Sequence, residues 1–219
     1  MQNQFRIQHY CALGLVILAM LAASIQPLEF ESCLLHQAGT VFMLAALLIA
    51  FKKVGLSFSS FVLYLIFLLI HIVGAHYLYS YVPYNDWILH SFGFNLDQSM
   101  GWSRNMYDRF VHLAYGILLY PVLLRLFEVW FPKNKPIVLY FLVIQFVMAS
   151  SLIYEWVEWL IALGLSPEDA ENYNGQQGDI WDAHMDMLLA TIGAMFTGVL
   201  MWISQKKKLI KVSFLDRPE

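Results

Sequence analysis

Six long apolar stretches leave this chain one environment to fold in. They run over roughly Tyr10–Ile25, Leu34–Phe51, Phe58–Ser80, Asp108–Trp130, Pro136–Ala162 and Ile180–Ile203. A helix needs about 20 predominantly apolar residues to cross the hydrocarbon core of a bilayer, and each stretch reaches or approaches that length. The composition agrees: 59% of the residues are hydrophobic and 13% charged, about half the charged fraction of a soluble domain. Six spans with short loops use up the 219 residues. The expected fold is therefore all-α, a polytopic bundle of about six transmembrane helices forming a single integral-membrane domain over residues 1–219. Seven Trp and 12 Tyr suit the aromatic belts at the two membrane surfaces. There is no internal repeat, heptad or low-complexity tract.

The first stretch is the shortest, and Ala22, Ala23 and Ser24 follow it much as a signal-peptide cleavage site would. The single Arg of its polar leader and the five spans behind it favour a retained helix. Cys11 and Cys33 lie in or beside apolar stretches. One disulfide is open to them, but two small buried thiols is the preferred reading.

Charge sets the expected orientation. With the N-terminus in the cytoplasm, the cytoplasmic segments hold Arg6, then Lys52 and Lys53, then Arg125, Lys133 and Lys135, then Lys206, Lys207, Lys208, Lys211 and Arg217. Only Arg104 and Arg109 fall on the other side. Of the 16 acids, only Glu128, Asp216 and Glu219 are cytoplasmic. Both termini are expected in the cytoplasm, and in a bacterial inner membrane the acidic side is the periplasm.

The remaining ionisable residues converge on one depth. The third span carries His71 and His76 in its outer half, and His36 lies near the outer end of the second. The fourth span opens with "DRFVHLAYG", which places Asp108 and His112 in its first two turns. The fifth ends with "YEWVEW", holding Glu155 and Glu158. The sixth opens with "GDIWDAHMDMLLATIGA", holding Asp179, Asp182 and Asp186. At 1.5 Å rise per residue these groups share a layer within roughly 10 Å of the outer surface. Asp108 and His112 are i, i+4; Glu155 and Glu158 are i, i+3; the three aspartates follow i, i+3 and i+7. Each set occupies one helix face. Ionisable residues inside membrane helices face the bundle interior and mark functional sites by default. So many carboxylates at such depth require compensation from bound protons, Arg104 or Arg109, a protonated histidine or a metal cation.

Plainer roles compete for several of these residues. Asp179 after Gly178 suits a helix N-cap and Asp182 the first turn, where the dipole favours an acid. Asp186 lies two turns in, beyond the reach of capping. Asp108 suits a cap, and His112 can pair with it. Glu155 and Glu158 sit toward a helix C-terminus, where the dipole disfavours acids. His71 and His76 also suit interhelical hydrogen bonding. His184 is off the acidic face, and His9 and His90 receive no role. The acids of "SPEDAEN", Glu168, Asp169 and Glu171, read as a solvated loop. Ala190, Ala194 and Gly198 form a row of small residues suited to close helix packing.

From Asp108 to Gly198 the order of these pieces resembles the VanZ-like membrane family. Its pattern is an Asp followed by a basic residue and a His one turn on, then a helix with Glu and Gln three apart, then Asp-x-x-x-Asn-Thr-x-Gly-Ala. Asp108, Arg109 and His112 match the first piece, Glu155 the family Glu, and Asp186, Thr191, Gly193 and Ala194 the last. Glu158 stands where Gln is usual and Ala190 where Asn is usual. The Arg usual before the final helix is absent, with Gly178, Asp179 and Asp182 in that region. Over its whole length the chain resembles the YjdF type of bacterial inner-membrane protein, an uncharacterised family. That resemblance implies topology and location and no reaction.

Three functions remain open. The first is a metal-dependent enzyme acting at the outer leaflet on a lipid head group or lipid-linked envelope precursor. Its catalytic residues would be Asp108, His112, Glu155, Glu158, Asp182 and Asp186. Of these, His112, Glu155, Glu158, Asp182 and Asp186 would hold a divalent Zn, Mn or Fe ion, Asp108 would orient His112, and His76 and Asp179 are secondary ligand candidates. The second is a non-catalytic VanZ-like binding protein of envelope or antibiotic stress. The third is a small proton-coupled transporter, against which the inward halves of the spans look dry and no inverted repeat is evident. The partners expected are the lipid bilayer and a lipid or lipid-linked ligand at the outer leaflet. No Gly-rich phosphate loop speaks for nucleic acid, and the basic patch of C-terminal lysines is sufficiently explained as a topology anchor.

Overall fold

The structure is a computed structural model that describes residues 3–215, excluding the side chains of Glu168 and of residues 205–215. The side chains of Lys206, Lys207, Lys208 and Lys211, and all of Asp216, Arg217 and Glu219, therefore lie outside the described residues.

The described residues form α1 (Ile7–Ala23), α2 (Phe30–Val54), α3 (Phe58–Tyr77), α4 (Tyr84–Phe92), α5 (Leu96–Met100), α6 (Tyr107–Trp130), α7 (Pro136–Ala162), α8 (Pro167–Asn174) and α9 (Asp182–Leu215). Five of these, α2, α3, α6, α7 and α9, are long and apolar enough to cross a membrane, and α1 is a shorter apolar helix of 17 residues. The chain is thus a polytopic helical bundle, as its hydropathy predicts. The boundaries follow local chemistry. Gly55, with φ 66°, closes α2. The Ser57 side chain then accepts from the Ser60 N–H at 3.1 Å to start α3. Pro136 begins α7, where a missing N–H costs nothing.

Two expectations are corrected. The "SPEDAEN" stretch is the helix α8 rather than a loop: Ser166 caps it by accepting from the Asp169 N–H, Pro167 opens it, and Gly175 at φ 67° closes it. The two cysteines are both free, but only Cys33 is buried; Cys11 is exposed on the outer surface of the bundle.

α6 is the hub, packed against α2, α3, α7 and α9. Its closest approach is to α9. A Cβ on Gly116 would collide with the Ala190 carbonyl oxygen, and one on Gly193 with the Leu113 carbonyl oxygen. Ala190 and Ala194 are fully buried in this seam. Gly198, the third small residue of the row, lies instead beneath the Tyr140 ring and the Tyr120 hydroxyl. Small residues let helix backbones meet in lipid, where dispersion rather than water exclusion drives association.

Pro121 interrupts α6 and leaves the Ile117 carbonyl without its intrahelical partner. The Thr197 hydroxyl of α9 donates to that carbonyl at 3.2 Å, as a lipid-embedded backbone requires. Thr197→Val should cost about 1 kcal/mol. Thermal unfolding in detergent checks this; a variant as stable as wild type would mean that another group satisfies Ile117.

Among the described residues, the end of the bundle holding the α2–α3 turn has a largely apolar core. Val16, Leu47, Phe51, Leu56 and Phe61 are fully buried there. His9 is fully buried among Phe5, Phe51, Phe58 and Phe61, and its Nδ1 accepts from the Arg6 N–H at 3.1 Å. Arg125 closes this end by donating to the Val54 and Gly55 carbonyls at 3.1 and 3.2 Å. The polar interior lies at the opposite end.

Candidate functional site

The tight α6–α9 seam sets the site. One to two turns from the Gly116–Ala190 contact, α6 presents Asp108 and His112 and α9 presents Asp182 and Asp186. Asp108 and His112 are 9% exposed, Asp182 4% and Asp186 2%. One ligating atom from each of Asp108, His112 and Asp186 falls within 4.8 Å of the others. α7 adds Glu155: its Oε1 is 3.9 Å from His112 Nε2, which is 3.6 Å from Asp108 Oδ1. Both separations exceed a hydrogen bond, so the imidazole is surrounded by acceptors without being bonded to them. Asp186 Oδ1 and Glu155 Oε1 are buried without a hydrogen-bond partner. Glu158, one turn further along α7, is hydrogen-bonded to Glu155 and Tyr154, and its charge would act on Tyr173.

A second layer lies outside this cluster. Arg104 Nη1 is 2.5 Å from Asp182 Oδ1 and 3.4 Å from Asp179 Oδ2. Arg109 Nη2 pairs with Asp179 and is 3.7 Å from Asp182. Asp179 also accepts from the Trp181 N–H at 2.9 Å, ahead of α9. That backbone donor, with Arg109 and Arg104 beside it, holds the Asp179 carboxyl below the usual carboxylate range. The two arginines, the only basic residues on the acidic side by sequence, thus compensate Asp179 and Asp182. They leave Asp108, Glu155 and Asp186 to other partners.

Two loops close over this layer. Arg104 Nη2 donates to the Gly175 carbonyl at 3.2 Å. The Asn105 N–H donates to Gln177 Oε1 at 2.8 Å, and Gln177 Nε2 returns a bond to the Asn105 carbonyl at 3.1 Å. Gln177→Leu should release this clasp and raise backbone hydrogen exchange in residues 100–107 and 175–181 by about tenfold, with the spans unchanged. Unchanged exchange in those loops would show that the clasp does not hold them.

Other residues expected at this depth lie apart from the cluster. His76 Nδ1 donates to the Ala23 carbonyl at 2.8 Å, tying α3 to the end of α1. His71 Nε2 donates to the His36 carbonyl at 3.1 Å, tying α3 to α2. Its Nδ1 is then the acceptor for the Tyr79 hydroxyl. His36 is buried between Tyr79 and Tyr173, with ring centroids 5.0 and 4.7 Å away. His184 is exposed against Trp181.

Tyr79 and Tyr173 escaped the sequence reading. Tyr79 follows Leu78 in the left-handed region, with φ of 52° and 57° respectively. That unfavourable backbone folds its ring onto Gly74, where any Cβ would strike it. Nothing local announces such a turn, because neither residue is Gly or Asn.

Residues 8–207 match the family described as "Predicted membrane protein (DUF2238)", and the chain belongs to that family. It is 34% identical over 142 residues to the inner membrane protein YjdF of Escherichia coli (strain K12), covering 63% of this chain and 62% of that relative's length. No solved structure matches.

Proposed function

We propose that this member of the family holds a divalent metal ion between Asp108, His112 and Asp186, with Glu155 beside it, and acts as a metal-dependent enzyme. The proposed substrate is a lipid head group or lipid-linked envelope precursor. The proposed setting is a bacterial inner membrane, both termini cytoplasmic and the site at the periplasmic leaflet. This rests on the charge asymmetry of the loops and on likeness to an inner-membrane relative. The observation that carries the metal reading is the pair of buried, unpartnered carboxylate oxygens, Asp186 Oδ1 and Glu155 Oε1, beside the Asp108–His112–Asp186 trio. Such oxygens are costly without a cation or donor. The donor set fits: two carboxylates and one imidazole suit Zn, Mn or Fe.

A bound divalent cation would supply Lewis-acid polarisation of a phosphoryl or carbonyl oxygen and ease deprotonation of a water. The chain's own groups provide the rest. Glu155 is placed to accept a proton beside His112, with Glu158 as its neighbour on the same helix. Asp182, close to Arg104, supports the site from outside rather than through the trio. Arg104 and Arg109 fix the start of α9 and so the position of Asp186.

Turnover tests the enzymatic part. Proteoliposomes carrying labelled lipid phosphates and lipid-linked precursors should show metal-dependent conversion that Glu155→Gln reduces at least a hundredfold. Metal retention with no conversion of any substrate would favour the non-catalytic binder. Against the transporter stands the largely apolar core of the opposite end among the described residues.

A further inference from the structure

We infer that the chain forms a symmetric dimer through the groove between α7 and α9, with Gln145 of each copy bonded to its counterpart across the two-fold axis. The groove has a volume of about 470 Å³ and is lined by Gln145, Met148, Ala149, Leu152, Leu188 and Thr191, with Met187. It opens on the membrane-facing surface, where Met148 and Leu188 are 44% and 49% exposed.

Gln145 makes this groove more than an irregularity. It lies ten residues from Lys135 at the start of α7, roughly 15 Å along the helix. That is about half the thickness of a bilayer's hydrocarbon core. Its side chain is exposed, and it makes no hydrogen bond among the described residues. The other polar side chain of the groove, Thr191, is satisfied by its own helix through the Met187 carbonyl at 2.8 Å. An amide facing hydrocarbon at this depth needs a partner. A lipid chain would fill the groove but offers neither donor nor acceptor. A second copy offers both.

A two-fold axis along the membrane normal places like against like. Two glutamine amides, each donor and acceptor, can then exchange two hydrogen bonds. Ala149, one turn on, removes the bulk that would hold the helices apart, and Met148 supplies an adaptable side chain for the facing groove. The row ends at Leu152, one turn before Glu155, so each copy keeps its own acid–histidine cluster. The inference is independent of the metal reading.

Energy transfer between two labelled populations, reconstituted together over a dilution series in lipid, tests it. Wild type should associate. Gln145→Leu should weaken association roughly tenfold, Gln145→Asn should restore most of it, and Ala149→Trp should abolish it by filling the groove. Each variant should keep wild-type helicity and thermal stability, since the groove lies outside the α6–α9 seam. A monomeric wild type at every density, or equal association of Gln145→Leu, would overturn the inference. So would a monomer carrying a stoichiometric lipid that Ala149→Trp displaces.

Discussion

Gly116→Val should prevent correct assembly of the bundle. The first added carbon collides with the Ala190 carbonyl oxygen, and it also lies 2.7 Å from the Ala194 nitrogen and 2.9 Å from the Ala190 carbonyl carbon. All three are backbone atoms of α9, so no side chain can rotate away and the two helices must part. Overpacking that side chains absorb costs about 1–3 kcal/mol; a backbone clash belongs at or above the top of that range. The damage extends to the site, because the same seam holds Asp108 and His112 opposite Asp186. Gly14→Ala is the matched control. Nothing lies within 4 Å of a Cβ there, and replacing glycine inside a helix should leave stability equal or slightly raised. Unfolding midpoints of both variants in one detergent check the pair. A Gly116→Val protein as stable as wild type would mean that α6 and α9 do not cross at these residues.

Arg104→Leu should carry the second largest penalty. The substitution leaves Asp182, whose side chain is 6% exposed, without its partner at 2.5 Å, and it weakens the compensation of Asp179. Breaking a buried ion pair from one side costs about 3–5 kcal/mol. Arg109 remains 3.7 Å from Asp182, so the lower end of that range is expected. Arg104→Leu combined with Asp182→Asn should recover most of the loss, since no buried charge is then stranded. Stability of the two single variants and the double variant measures this coupling. Additive losses would show that Arg104 and Asp182 do not interact.

The spans were legible because hydropathy in a membrane is a one-dimensional signal: length and apolar continuity suffice to place α2, α3, α6, α7 and α9. The α8 helix carries a local signal in its Ser166–Pro167 start and the acids behind it, but a polar stretch between two spans reads as a solvated loop when only its polarity is considered. The helical spacing of Asp108 with His112, and of Asp182 with Asp186, matches their places on α6 and α9, but Asp179, expected on the same helix face, lies ahead of α9, which begins at Asp182. Sequence could also name Arg104 and Arg109 as the basic residues on the acidic side. It could not assign them, because their partners lie about seventy residues away and the choice between Asp182 and Asp186 turns on about one helical turn of register. The structure gives Asp182 to Arg104 and leaves Asp186 facing His112. Tyr79 was hidden for a different reason. Its position depends on left-handed backbone at two ordinary residues, Leu78 and Tyr79, which tertiary contacts impose and local sequence does not encode.

Metal content tests the central claim most directly. Protein purified in mild detergent is analysed by mass spectrometry beside Asp186→Asn and Glu155→Gln. The account predicts close to one transition-metal ion per chain in wild type. It predicts loss of that ion in Asp186→Asn, which removes a ligand carboxylate. In Glu155→Gln it predicts retention with affinity lowered by about ten- to a hundredfold, as for a supporting group. A folded wild-type protein that binds no divalent metal, even after incubation with Zn, Mn or Fe, would contradict it.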